Sequence, residues 1–216
     1  MLKAVLFDLD GTVGDTLALC VEAFRAAMEP MVGYPLSDGE ILGMFGPNDE
    51  GTIRNLVHDR WEEGVASYLS YYRKLHVRYP EPFPGVLDLL KLLKGRGLVL
   101  GMVTGKGAES CRITLEQYGM DGLFDMVETG SPLGPCKPRG IKAILDRFHL
   151  STDEAVYVGD VSADIDAARE VGVKIIAVAY ASTAKPDKLR AKKPDFLCFS
   201  VAELETALGK LAVPGH

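Results

Sequence analysis

An α/β fold built on a doubly wound parallel sheet is what this sequence predicts, and two features predict it. Short, continuously apolar runs recur along the chain, the pattern of strands buried on both faces. Longer segments with helical spacing separate those runs, the alternation expected of a sheet covered by helices on both sides.

The first run is Ala4-Val5-Leu6-Phe7. Between Thr16 and about Pro82 no convincing strand follows; helical spacing covers 17–28, 37–45, 50–57 and 61–77. Pro80, Pro82 and Pro84 punctuate the return. This stretch reads as a helical insert, the alternative being a helical layer of the same domain. A helix carrying Val86, Leu87, Leu89, Leu90, Leu92 and Leu93 then stops at Gly95 and Gly97. A second strand spans 98–103, followed by a helix over 108–118 that Gly119 ends. Met126-Val127 is a weak third strand. A helix over 141–148, a strand over 155–158, a helix over 163–171 closed by Gly172, and a strand over 173–178 complete the alternation. The tail Val213-Pro214-Gly215-His216 reads as a loose end.

A chain of 216 residues is long enough for a substantial core, alone or with a smaller insert. Its 47% apolar and 25% charged residues argue against disorder. A net charge of -6, with no dominant basic stripe, argues against a nucleic-acid partner. Cys20, Cys111, Cys136 and Cys198 form no CxxC pair, and His58, His76, His149 and His216 are scattered. Neither a disulfide framework nor a zinc site is expected, and a reducing compartment fits. The apolar run at the N-terminus is too short for a signal peptide or a membrane span, so the expected location is cytoplasmic, with no membrane partner.

Chemistry collects at four places. Asp8-Leu9-Asp10-Gly11-Thr12, with Asp15 nearby, follows the first strand. Residues i and i+2 of an extended chain point the same way, so two carboxylates there can address one point. The plain alternative is an acidic turn. Thr104-Gly105-Lys106 follows the second long strand, where backbone N–H groups at a helix start attract anions; a simple N-cap is the alternative. It is not a nucleotide P-loop, because three residues separate Gly101 from Gly105 where that motif has four. Lys137-Pro138 reads as a loop lysine able to reach the same sheet edge as a point charge for phosphate. Gly159-Asp160 ends another strand, and Asp164 falls in the next helical turn.

Together these places say more than each alone. Ligands of open parallel sheets bind outside the carboxyl ends of the strands. Asp8, Asp10, Thr104 and Asp160 stand at such ends. A donor set rich in oxygen, without cysteine or histidine, selects Mg²⁺ over zinc.

The ordered set Asp8-x-Asp10-Gly11-Thr12-x-x-Asp15, Thr104-Gly105, Lys137-Pro138 and Gly159-Asp160-x-x-x-Asp164 resembles the haloacid dehalogenase superfamily, and most nearly its phosphoglycolate phosphatase-like branch with a helical cap. The match spans nearly the whole chain. It implies a Rossmann-like core over 1–15 and 83–216, with a small inserted all-helical cap domain over 16–82. It implies a Mg²⁺-dependent hydrolase of a small phosphate monoester, Asp8 attacking phosphorus to form an aspartyl-phosphate and Asp10 handling the proton. Thr104, Gly105 and Lys137 would hold phosphoryl oxygens. Asp8, the Asp10 carbonyl and Asp160 would bind the metal, with Thr12, Asp15 and Asp164 in support. The partner implied is a small phosphorylated metabolite, acting on a monomer or homodimer.

Three positions depart from the family pattern: Gly105 where Asn is common, Arg139-Gly140 where an acid and proline are common, and Gly14 where a larger apolar residue is common. The last implies a looser hinge towards the cap. The second aspartate of the pair argues against dehalogenation. Gly105-Lys106-Gly107 lacks the Ser-Arg pair usual in phosphosugar mutases. A phosphosugar mutase still stands as an alternative, because it also keeps both aspartates. Phe45-Gly46-Pro47 resembles a segment shared by phosphoglycolate and pyrophosphate enzymes, so inorganic pyrophosphatase activity is a second alternative and a non-catalytic binding module the last. Substrate contacts are expected from the helical insert, among Asn48, Asp49, Arg54, Arg60, Trp61, Arg73, Lys74 and Arg78, with Arg54 the first candidate to meet a substrate carboxylate.

Overall fold

The computed structural model describes residues 1–212, so the tail expected to be loose, 213–216, lies outside the described residues. Its centre is a six-stranded, wholly parallel sheet in the order β3-β2-β1-β4-β5-β6. The strands are β1 (Ala4–Phe7), β2 (Val99–Val103), β3 (Met126–Glu128), β4 (Ala155–Gly159), β5 (Lys174–Val178) and β6 (Phe196–Cys198). The first five fall on the apolar runs of the sequence. The sixth is a three-residue edge strand that the apolar pattern did not mark.

Helices cover both faces, as the alternation requires. On one side Val5 and Phe7 of β1 pack with Leu90 and Leu93 of α5 (Val86–Gly95), Leu115 of α6 (Ala108–Gln117) and Leu208 of α10 (Val201–Ala212). On the other, Ala4 and Leu6 pack with Ile144 of α7 (Lys137–Arg147), Ile165 of α8 (Ser162–Val171) and Leu189 of α9 (Pro186–Ala191). Successive β1 residues thus feed opposite cores, which is why the run is apolar without a break. Gly172 closes α8 in the left-handed conformation, its N–H bonding the carbonyls of Ala168 and Arg169.

Between β1 and α5 the chain makes α1 (Leu17–Val32), α2 (Asp38–Met44), α3 (Asp49–Val57) and α4 (Trp61–His76). Ser37 caps α2 with a capping box to Glu40, and Asn48 caps α3 through the N–H of Gly51. These helices share a third apolar cluster, with Phe24, Met28, Ile41, Ile53, Tyr68 and Tyr72 at its centre, which meets the rest of the molecule through Ile113 of α6. The two chain crossings that connect this helical layer to the sheet lie side by side, since the Phe83 N–H bonds the Val13 carbonyl at 3.0 Å.

Gly14 lies at the first crossing, and here the expectation of a looser hinge is corrected. A Cβ at Gly14 would stand 2.7 Å from Cε2 of Tyr118, a ring that is itself buried. The missing side chain makes room for a close contact. Gly14→Ala is therefore expected to destabilise the protein by about 1–3 kcal/mol through overpacking. A lower urea midpoint at constant m would show it; an unmoved midpoint would mean that the ring shifts freely.

Candidate active site

Register places the chemistry. Phe7 stands opposite Met102 on one side and Val158 on the other, so β1, β2 and β4 end at one level. The next residues, Asp8, Thr104 and Asp160, emerge together at the carboxyl edge and are buried. They line a cavity of about 680 Å³ between that edge and the helical layer, together with Asp10, Gly105 and Lys137.

The turn after β1 is wound tightly, the N–H groups of Thr12, Val13 and Gly14 all bonding the Leu9 carbonyl. Gly11 starts it with φ of +82°, and a Cβ there would stand 2.5 Å from Cγ of Asp160. Glycine is required on both counts. Thr12 Oγ1 donates to Asp160 Oδ1 at 3.3 Å, and the Thr12 carbonyl accepts the Tyr180 hydroxyl at 2.6 Å.

Asp8, Asp160 and Asp164 each place a carboxylate oxygen within 4.8 Å of the others. Burial pushes the Asp8 carboxyl up to about 6, with Asp164 adding to it and Lys137 opposing it. Burial, then Asp8 and Asp164, push Asp160 up to about 8. Crowded buried acids of this kind favour a cation. Lys137 Nζ supplies one charge, 2.8 Å from Asp8 and 2.5 Å from Asp164. Burial opposes the ammonium, but Asp164 and Asp8 hold its pKa well above the usual lysine range. Asp164 in turn accepts the N–H groups of Asp160 and Val161 at 3.0 Å, fixing the loop after β4. Lys137 is the first residue of α7, and this corrects the sequence reading, which left it in a loop. Pro138 suits the first helical turn, where no N–H is needed.

The Asp10 carboxylate has partners of its own. Its Oδ1 accepts from the Thr16 hydroxyl and from Lys106 Nζ, the latter at 3.3 Å. Lys106 was not singled out from the sequence as a site residue, yet it is the second lysine lining the cavity. Its side chain is 1% exposed, with Nζ 2.9 Å from Cys20 Sγ and 4.5 Å from the Tyr72 ring centroid. Burial works against its charge, but Asp10 together with Cys20, Tyr72 and Tyr68 outweighs it and holds the pKa well above the usual range. The signal was its place two residues after Thr104, whose Oγ1 accepts the Lys106 backbone N–H at 3.2 Å.

Two expected residues stand elsewhere. Asp15 is half-buried, accepts the Ser182 N–H at 3.4 Å and does not line the cavity. Arg54, the first candidate for a substrate carboxylate, is exposed; it pairs with Glu50 at 3.1 Å and lies 4.1 Å over the Trp61 ring. Of the other insert candidates, Asp49 lines the cavity, while Asn48 anchors the layer to the core by donating to the Gly130 carbonyl at 3.1 Å.

The model of a family described as haloacid dehalogenase-like hydrolase matches residues 5–178. The chain is 30% identical over 213 residues to a phosphoglycolate phosphatase of Synechococcus elongatus, covering 97% of this chain and 99% of the relative. It is 29% identical over 210 residues to the pyrophosphatase PpaX of Halalkalibacterium halodurans, covering 96% and 97%. Among solved structures it is similar to a haloacid dehalogenase-like family hydrolase from Streptococcus pneumoniae, with a TM-score of 0.76, 27% identity, and 96% and 98% of the two chains covered. Among the described residues no helix is long and apolar enough to cross a membrane.

Proposed function

Because this chain belongs to the haloacid dehalogenase-like hydrolases, we propose that it hydrolyses a small phosphate monoester through an aspartyl-phosphate on Asp8. The observation that carries this is the juxtaposition of Asp8 with Lys137 at 2.8 Å, beside Asp160 and at the end of the central strand.

The donor set fits Mg²⁺. Asp8 and Asp160 offer buried carboxylate oxygens close together, no sulfur or imidazole joins them, and Asp164 stands behind. When bound, the cation would neutralise charge on the phosphoryl oxygens and on Asp8. Asp8 attacks phosphorus as the leaving oxygen departs. Lys137 and Thr104 hold the phosphoryl oxygens in line. Asp10 sits on the side of the helical layer, where its carboxyl gives a proton to the leaving alkoxide and then takes one from the water that cleaves the aspartyl-phosphate. Thr16 and Lys106 orient that carboxyl. Residues 16–82 serve as a cap that excludes bulk water from the cavity.

The test is phosphate release from simple phosphate monoesters in Mg²⁺ buffer, followed by chelation. Turnover should vanish with excess chelator and return with Mg²⁺; release that ignores the chelator would overturn the metal assignment. A readout without turnover is the melting temperature. Mg²⁺ should raise it, and more at pH 8 than at pH 5. The sign follows from the raised acids: Asp8 and Asp160 go from an ordinary 3.8 to about 6 and about 8. Their contribution to metal-free stability is present at low pH and is lost as pH rises through those values, which is where a cation replaces protons on the same oxygens. The relatives named pyrophosphatase favour a second reading, cleavage of pyrophosphate, and the same assay run with pyrophosphate beside the monoesters separates the two.

A further inference from the structure

We propose that the alcohol released at this site is neutral and largely apolar, so that the substrate is an alkyl-type phosphate monoester, neither a phosphorylated acid nor pyrophosphate. This rests on the hydrolase reading above and concerns the leaving-group side of the same cavity.

The helical layer lines the cavity with Leu17, Phe24, Phe45, Pro47 and Tyr68, beside which Asp49 and Thr52 are its polar contributions. Phe24 meets Phe45 and Tyr68 edge to face, at centroid distances of 6.0 Å and 6.4 Å, so the wall is a packed aromatic surface. Its charges are as informative. Lysines 106 and 137 are the cations among the lining residues, against the buried Asp8 and Asp160 and the half-buried Asp10 and Asp49; Asp166 and Glu170 are exposed, and Asp166 is paired with Lys192. Both lysines already have carboxylate partners inside the protein: Asp8 and Asp164 for Lys137, and Asp10 for Lys106.

The arginines of the helical layer are turned outwards. Arg25 is tied to Asp38, Arg54 to Glu50, Arg60 to Glu63, Arg73 to Glu116 and Arg78 to Glu22, and none lines the cavity. A second anionic group on the substrate would therefore leave water for an apolar wall and an excess of carboxylates. Without a cation of its own, that transfer is strongly unfavourable. An alkyl chain gains instead, by about fourfold in affinity for each methylene buried.

The experiment compares kcat/KM for n-butyl phosphate, 2-phosphoglycolate and pyrophosphate in Mg²⁺ buffer. The first two are esters of aliphatic alcohols, so the comparison reads the leaving group's body and charge. Butyl phosphate should exceed 2-phosphoglycolate by about tenfold or more, as roughly two buried methylenes imply. Phe45→Ala should shrink that ratio severalfold, and Phe45→Leu, which keeps the wall apolar, should hold most of it. Preference for 2-phosphoglycolate or pyrophosphate, or a ratio that Phe45→Ala leaves unmoved, overturns the inference while leaving the hydrolase reading intact. Absence of turnover on all three overturns the hydrolase reading and this inference with it.

Discussion

Asp8→Asn is expected to lower kcat by at least about 10⁴-fold and to abolish the covalent intermediate, since losing a nucleophile costs most of the rate that its partners cannot supply alone. The substitution keeps the volume of a side chain that is 7% exposed, so the cavity wall is not perturbed. It removes one of three crowded acids, and Lys137 keeps Asp164 as a partner at 2.5 Å. The metal-free melting temperature should therefore hold level or rise. Two measurements carry the test: steady-state phosphate release, and acid-quenched protein after exposure to a labelled ester. The wild type should retain label as an acid-stable, base-labile acyl phosphate, and the variant should retain none. Turnover within tenfold of wild type would remove Asp8 from the mechanism.

Lys137→Met should damage both stability and activity. The ammonium neutralises Asp8 and Asp164, whose side chains are 7% and 0% exposed. Removing one partner of a buried ionic cluster costs about 3–5 kcal/mol, because the remaining charges stay buried and uncompensated. The sign with pH is fixed by the same argument. Without Lys137 the buried acids hold protons that the unfolded chain releases, so stability falls as pH rises through their folded pKa values. The loss should be larger at pH 8 than at pH 5, read from urea midpoints at both. On activity, the proposed mechanism has the lysine hold the phosphoryl group before and during transfer, so KM for a phosphate ester should rise and kcat should fall together. Equal destabilisation at both pH values would mean that Lys137 acts by packing alone.

The parts legible in the sequence share a local signature. Five strands announced themselves as apolar runs, because a doubly covered parallel strand has no polar face to interrupt it. The strand Phe196–Cys198 pairs on one side only and spans three residues, too few for a pattern to register. Asp8, Thr104 and Asp160 were readable because each directly follows such a run, and strand ends converge whatever the rest of the chain does. Lys106, Thr16, Cys20 and Tyr72 had no such signature. Their meeting around Asp10 depends on how α1 and α4 lie over the β2–α6 loop, which no spacing encodes. Arg54 failed for a related reason. On α3, Asp49 and Thr52 face the cavity, and Arg54, two residues beyond Thr52, lies about 200° around the helix.

The pairing of β1 also sets an order of events during synthesis. Ala4 stands opposite Val99 on one side and Ala155 on the other. Of the six strands β1 thus waits longest between its own synthesis and its full enclosure, because its second neighbour is made some 150 residues later. At about 5–20 residues per second the wait is roughly 8–30 s. For about the first 95 residues of that interval β1 has no native neighbour and for the rest it has only β2, while the segment from Leu17 to His76 already holds the residues of its own apolar cluster save Ile113. The nascent chain would therefore present a compact helical body tethered to an incompletely paired apolar strand, and a chaperone that shields Ala4–Phe7 would act on the strand that waits longest for its neighbours.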